Sequence, residues 1–266
     1  MTDRDRGFGV SVLGLRLVLV GDSAAVVEAL DRYVLPWLPR TATDGKGADR
    51  LVEVRRAGAG AELEIVMDGA VVATAPSPEA AIPAVQRALD DAVVHGQREV
   101  AVVHAGVVGH AGRAIVLPGT TGAGKSTLVA ELVRRGACYY SDEYALIDSG
   151  GLVHAYPRPL LLREGPGEGR PVLATELGGT VGREPIAVGL ILELRYAASA
   201  ALALEPVPQG DGVLMLLRNT PQILADQPWI LAPLEHAAGR AACYTGMRGE
   251  AGEAVAGLLR LAASRT

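Results

Sequence analysis

Apolar and polar positions divide the chain into short elements. LRLVLV at Leu15–Val20 has the continuity of a strand. Ala24–Leu38 sets Val26, Val27, Leu30, Val34 and Leu35 near helical spacing until Pro36 interrupts it. Residues 41–49 (TATDGKGAD) read as a loop. Leu51–Arg56 and Leu63–Ala75 predict strands, the second folded back at Asp68-Gly69, a two-residue hairpin signal. Ser77, Pro78 and Glu79 then open a helix in which serine caps and proline suits the first position. Ile82, Val85, Leu89 and Val93 carry an apolar stripe to about His95, and Pro83 inside that stripe leaves room for a start one turn later. This mixture predicts a small α+β domain over residues 1–97.

From Glu99 the pattern changes. VAVVHAGVVGH, AIVLPG, ALID and VGLILELRY are short β-forming runs punctuated by glycine, which predicts a sheet built around a glycine-rich loop. Ser141 to Arg170 is mostly turn-rich, and Glu164–Arg170 (EGPGEGR) reads as a mobile loop. Val255, Leu258, Leu259 and Leu261 predict a terminal helix over about Glu250–Ala263. The fold class expected is α/β, a nucleotide-binding core over residues 98–266 preceded by the small domain.

Composition narrows the function classes. At 266 residues with 49% hydrophobic and 21% charged, the chain can bury a core and is not of disordered type. A net charge of −5 gives no basic field for nucleic acid. No run of 18 apolar residues is present, and MTDRDRGFGV lacks a signal-peptide pattern, so a cytoplasmic protein without a membrane partner is expected. Cys138 and Cys243 have neither zinc-site nor disulfide-framework spacing and read as small core residues. Of 25 basic residues, only Lys46 and Lys125 are lysine. Lys125 therefore falls where a compact ammonium and a planar guanidinium are not interchangeable.

The strongest chemical signal is Gly119-Thr120-Thr121-Gly122-Ala123-Gly124-Lys125-Ser126, which fits GxxxxGK(S/T) at every fixed position. A strand at Ala114–Leu117 precedes it. A helix at Thr127–Arg135, closed by Gly136, follows. Glycines let successive backbone N–H groups turn inward onto phosphate oxygens at a helix N-terminus. Lys125 then serves the β- and γ-phosphates of ATP and the Ser126 hydroxyl serves Mg²⁺, with Thr127 closing the cradle. The strand Ala137–Tyr140 delivers Ser141-Asp142-Glu143 soon afterwards. A carboxylate there can hold Mg²⁺ or accept a proton from an attacking hydroxyl, or simply cap a turn.

Residues 104–143, HAGVVGHAGRAIVLPGTTGAGKSTLVAELVRRGACYYSDE, resemble the catalytic core of the HPr kinase/phosphorylase family and its kinase relatives. The resemblance lies in the order histidine, strand pair, P-loop, short helix ending in Arg-Gly, and acidic pair. It implies an HPr kinase-like fold, with His104 at the active-site histidine position, Asp142 as the base, and Ser126, Asp142 and Glu143 as metal ligands. Pro157–Arg163 resembles the segment leading into that family's mobile loop, and Val181–Glu184 resembles one carrying a functional arginine. Arg163 and Arg183 are thus candidate phosphate clamps. The chain departs from the HPr-modifying members at Leu161, where they carry an acid, and at Glu143, where they carry aspartate.

Two functional classes follow, and the resemblance implies a third, phosphorylase action on a phosphoprotein, which has no separate mark in the sequence. One is an ATP-dependent kinase acting on a hydroxyl of a peptide, a protein or a small molecule. Family relatives in peptide biosynthesis, including lasso-peptide clusters, make a ribosomal peptide precursor a plausible acceptor. The other class is an ATP-binding sensor or scaffold with little transferase activity. The resemblance also implies a homo-oligomer.

Overall fold

A computed structural model describes residues 7–41, 47–58, 62–120, 122–162, 169–225 and 228–265. The architecture is mixed α/β with several sheets, and the chain divides into two compact units, Met1–Gln97 and Arg98–Thr266. The Lys46 position and residues 164–168 of the loop predicted from glycine content lie outside the described residues.

The first unit is a five-stranded sheet in the order β1 (Gly7–Val12), β2 (Leu15–Gly21), β3 (Arg50–Arg56), β4 (Leu63–Met67) and β5 (Ala70–Ala75). Helix α1 (Ala24–Tyr33) makes the crossover that lets β2 and β3 run parallel, and α2 (Pro78–Gly96) follows β5. Leu17, Leu19, Val52, Val54 and Ile65 alternate into a core shared with Ile82, Val85, Leu89 and Val93 of α2. At the β4–β5 turn Asp68 and Gly69 both take positive φ (49° and 88°), the backbone that a two-residue hairpin requires.

One boundary differs from expectation, and one that the sequence left open is resolved. Helix α1 stops at Tyr33, short of the interruption expected at Pro36, because Val34 is already extended (φ −99°, ψ 107°) and Leu35, which precedes Pro36, is barred from the helical region. Helix α2 starts at Pro78 despite Pro83. Ser77 caps it through Ala80 N (3.2 Å), and the stripe from Ile82 to Val93 is buried, which outweighs one lost backbone bond near the helix start.

The second unit contains β6 (Val100–His110), β7 (Arg113–Pro118), α3 (Lys125–Arg134), β8 (Cys138–Ser141), β9 (Tyr144–Asp148), β10 (Leu152–His154), β11 (Leu160–Leu162) and β12 (Arg170–Val172). After these come β13 (Ile186–Tyr196), β14 (Ala203–Val207), α4 (Gln209–Arg218), α5 (Leu231–Ala238), β15 (Ala242–Arg248) and α6 (Ala251–Ala263). Its sheet runs β10-β9-β6-β7-β13-β15-β14, with β8 also on β6, and β11 and β12 form a separate ribbon. The ALID run expected as a strand is β9, paired with β6, and the otherwise turn-rich segment also holds β10, which pairs with β9 and β13, and β11, which pairs with β12. Helix α3 begins at Lys125, two residues before Thr127.

Strands β7, β13 and β15 run parallel. Val103, Ala105, Val107, Ala114 and Val116 meet Met215, Leu216, Leu234 and Ala237 of α4 and α5 in one buried cluster. The alternate positions meet α3, which also packs on α6. There Gly106 lets the helix approach so closely that a Cβ would come within 2.7 Å of Val129 Cγ2. Strands β8 and β9 are two parts of one run along β6, separated at Asp142-Glu143, with a further register shift inside β8 at Tyr140. Ser141 lies opposite Val107 before the break and Tyr144 opposite His104 after it.

Gly106→Val is expected to overpack this seam and destabilise the protein by about 1–3 kcal/mol. A lowered urea midpoint with an unchanged m-value would show it. An unchanged midpoint would mean that α3 does not depend on the close approach.

Candidate active site

Three adjacent strands converge on His104. On one side β7 ends at Pro118 opposite Ala105, and Gly119 N donates to His104 O at 3.3 Å as the glycine-rich loop begins. On the other side the broken run places Glu143 beside it, with Ala105 N donating to Glu143 O at 3.0 Å. The His104 N–H donates to Asn219 O (2.6 Å) at the end of α4. The histidine backbone is thus fixed from three directions.

The loop turns into α3 through Gly122 (φ 88°) and Gly124 (φ 74°). A Cβ on Gly124 would sit 2.5 Å from Arg248 Nη2, so both backbone and space demand glycine. Arg248, only 3% exposed at the end of β15, donates from Nη2 to Gly124 O (3.0 Å) and Ala123 O (3.3 Å), and from Nη1 to Gly249 O (3.0 Å). Burial lowers its pKa, against the opposing charge of Glu250. Beneath the loop a cavity of ≈ 10 Å³ is lined by Leu117, Leu128, Leu192, Leu194 and Arg248. The loop therefore rests on an apolar floor and is tied at its carbonyls.

Lys125 folds over this loop, its Nζ donating to Gly119 O (2.7 Å) and Thr120 O (3.0 Å). The same Nζ lies 3.3 Å from His104 Nε2, which in turn lies 3.0 Å from Glu143 Oε1. Nε2 is a donor or an acceptor, not both, so His104 serves one neighbour at a time. Burial lowers the pKa of Lys125, opposed by the charges of Glu143 and Asp142. For Glu143 burial raises the pKa, but the His104 hydrogen bond and the charges of Arg158, His104 and Lys125 outweigh it and leave the carboxyl below its ordinary value.

Asp142 is 2% exposed, and burial raises its pKa. The Arg158 charge opposes that rise, Glu143 adds to it, and hydrogen bonds with Ser126 and Tyr139 oppose it. The Tyr139 hydroxyl lies 3.0 Å from Asp142 Oδ1 and 2.7 Å from Arg158 O, and burial raises its own pKa well above the ordinary value. One phenolic proton serves these two acceptors, so a protonated Asp142 could return a hydrogen bond to the phenol.

Of the residues picked out in the sequence, the fold gathers His104, Gly119, Lys125, Ser126, Asp142 and Glu143. Thr120, Gly122, Ala123 and Gly124 lie along the loop, and Thr127 is exposed in the first turn of α3. Arg183 is exposed on the segment beside β8, where Gly182 N donates to Tyr139 O, and among the described residues it makes no hydrogen bond with the cluster. Thr121 and Arg163 lie outside the described residues. Three participants had not been singled out: Tyr139, Arg158 (4% exposed) and Arg248. Only Arg158 carried a signal, its position between Pro157 and Pro159, which restricts the backbone to extended forms. Among the described residues no three His, Cys, Asp or Glu side chains group so as to hold a metal by themselves, and no helix is long and apolar enough to cross a membrane.

Asp142→Asn is expected to raise Tm at neutral pH, because burial is the largest influence on Asp142 and opposes its charge. With the folded pKa raised, ionised Asp142 costs nothing below its ordinary value; the cost appears as pH rises and is complete above the folded pKa. The gain should therefore vanish in acid, and thermal melts from pH 4 to 8 would reveal it. A variant less stable at pH 8 than wild type would contradict burial as the dominant influence.

No family model and no curated protein matches the chain. Among solved structures, the HPr(Ser) kinase/phosphatase from Coxiella burnetii is similar over 61% of this chain and 91% of its own, at 14% identity and a TM-score of 0.28. A score that low carries no argument about fold or activity.

Proposed function

We propose that this protein is an ATP-dependent kinase that transfers the γ-phosphate to a hydroxyl of a peptide, a protein or a small molecule. The observation that carries the reading is the placement of Lys125, Ser126, Asp142, Glu143 and His104 around the mouth of one glycine-rich loop at the end of β7. Loop amides and the α3 N-terminus receive the phosphates. The Nζ donors now turned to Gly119 O and Thr120 O are the ones a β,γ-phosphate would take over.

The acceptor hydroxyl oxygen bonds to the γ-phosphorus as the bond to the bridging oxygen breaks, ADP departs, and the hydroxyl proton passes to the Asp142 carboxylate. A carboxyl whose pKa is raised by burial is the better base for this role. His104 and Lys125 hold Glu143 to one side. The hydroxyl of Ser126 and the carboxylates of Asp142 and Glu143 are hard oxygen donors of the kind Mg²⁺ takes, and Ser126 lies close enough to Asp142 to lower its pKa. Bound with the nucleotide, Mg²⁺ would neutralise charge on the phosphate oxygens.

The first unit is proposed to recognise the acceptor. Its edge strand β5 leaves Val71 and Val72 half exposed, a surface suited to strand addition by an extended peptide. Removal of residues 1–97 should leave ATP affinity within about threefold and abolish turnover of the acceptor. Full-rate turnover by the truncated chain would rule the role out.

A second reading, a nucleotide sensor with little transferase activity, is favoured by Leu161, a half-buried side chain in β11 that supplies no carboxylate. Lys125→Ala is expected to weaken ATP binding at least 100-fold. Asp142→Asn should bind ATP within about threefold of wild type yet transfer label about 10²–10⁴ times more slowly. Calorimetry and mass spectrometry of candidate acceptors with γ-labelled ATP distinguish the cases. Equal loss of binding in both variants would end the division of labour, and tight ATP binding with no transfer to any acceptor would establish the sensor.

A further inference from the structure

Strands β7, β13 and β15 run parallel, so their C-terminal ends share one edge of the sheet with the glycine-rich loop. In an α/β sheet of this kind, ligands lie outside those carboxyl ends. Leu192 and Leu194 of β13 line the small cavity beneath the loop together with Ala123, Lys125 and Arg248. Side chains two apart on a strand share a face, so Tyr196 stands on that same face one step further out. It is also opposite Arg248 in the β13–β15 register.

The surroundings of Tyr196 suit a stacking platform. Its residue is 50% exposed. Its hydroxyl donates to Glu250 Oε1 at 2.7 Å, and the guanidinium carbon of Arg248 lies 5.4 Å from the ring centroid, so the exposed ring is held at both ends. Arg248 also donates to the carbonyls of Ala123 and Gly124, so one side chain joins the ring to the loop. An exposed aromatic fixed in this way presents a π surface without a further loss of side-chain freedom.

We infer that the Tyr196 ring, at the C-terminal end of β13, stacks against the base of the nucleoside triphosphate whose phosphates occupy the glycine-rich loop. The inference rests on the phosphate-binding reading of that loop and adds to it the site of the nucleoside. Lys125 and the loop amides serve the phosphates, and Tyr196 distinguishes a nucleotide from a bare polyphosphate. Stacking reads a π face rather than a hydrogen-bond pattern, so this contact favours a nucleobase without choosing strongly among bases.

The test compares dissociation constants for ATP and for inorganic tripolyphosphate, both with Mg²⁺, in the full chain and in its Tyr196→Ala, Tyr196→Phe and Lys125→Ala variants. Tyr196→Ala should weaken ATP about tenfold and leave tripolyphosphate within twofold of wild type, since one stacked base contributes in that range. Tyr196→Phe retains the ring and should bind ATP within twofold of wild type, which also separates stacking from loss of the Glu250 hydrogen bond. Unchanged ATP binding in Tyr196→Ala would overturn the inference. Equal weakening of both ligands would also overturn it, by assigning Tyr196 to support of the loop through Arg248. If tripolyphosphate binds Lys125→Ala as tightly as wild type, the phosphate reading itself fails, and the base site falls with it.

Discussion

A carboxylate held 2% exposed is the constraint around which the second unit is arranged. An isolated charge at that depth would cost several kcal/mol. The cost is contained because the buried Arg158 guanidinium offers an opposite charge, Tyr139 donates a hydrogen bond, and the nearby Ser126 also lowers the pKa. Each of these comes from a different element: Tyr139 from β8, Ser126 from the first turn of α3, and Arg158 from the stretch leading into β11. Holding one charge therefore ties together α3, β8 and the stretch before β11. Glu143, one residue on, faces the same problem and resolves it differently, because His104 bonds directly to it and its pKa moves the opposite way.

The glycine-rich loop is secured by a separate device. A loop that must present its amides to a ligand cannot satisfy its backbone through regular pairing, so its carbonyls need donors from elsewhere. Lys125 and Arg248 divide that work, the lysine on Gly119 and Thr120, the arginine on Ala123 and Gly124. The difference between the two residues matters here. The lysine is flexible and its contacts can be exchanged, whereas the arginine is buried and forked, and it fixes the loop with planar geometry.

Much of this was legible along the chain because it is local. The strand, glycine turn and helix around Gly119–Ser126 are set by neighbours in sequence, as are the Asp68-Gly69 hairpin and the capped start of α2. Strand β9 was visible as the run ALID, but β10 and β11 were hidden within glycine- and proline-rich sequence, since their stability comes from pairing rather than from composition. The contacts made by Arg248 and Tyr139 could not be read at all. Nothing in the sequence around Arg248 points to a loop more than a hundred residues earlier, and a buried tyrosine looks like any core aromatic until its hydroxyl finds Asp142. Arg183 shows the opposite limit, since its place beside β8 does not by itself bring it into hydrogen bonding with the cluster.

The interruption between β8 and β9 has a consequence for how the acidic pair can vary. In an unbroken strand, consecutive side chains point to opposite faces, and residues 142 and 143 would be divided between the two helical layers. The two-residue gap suspends that alternation while Ser141 and Tyr144 stay in step with β6 on either side. Both carboxylates can then address a single locus. Exchanging one acid for the other alters reach by one methylene, but adding or removing a residue would shift every later partner of β6 by one place. The pair should thus be permissive in kind and strict in number, a counting rule written in the sheet rather than in the chemistry.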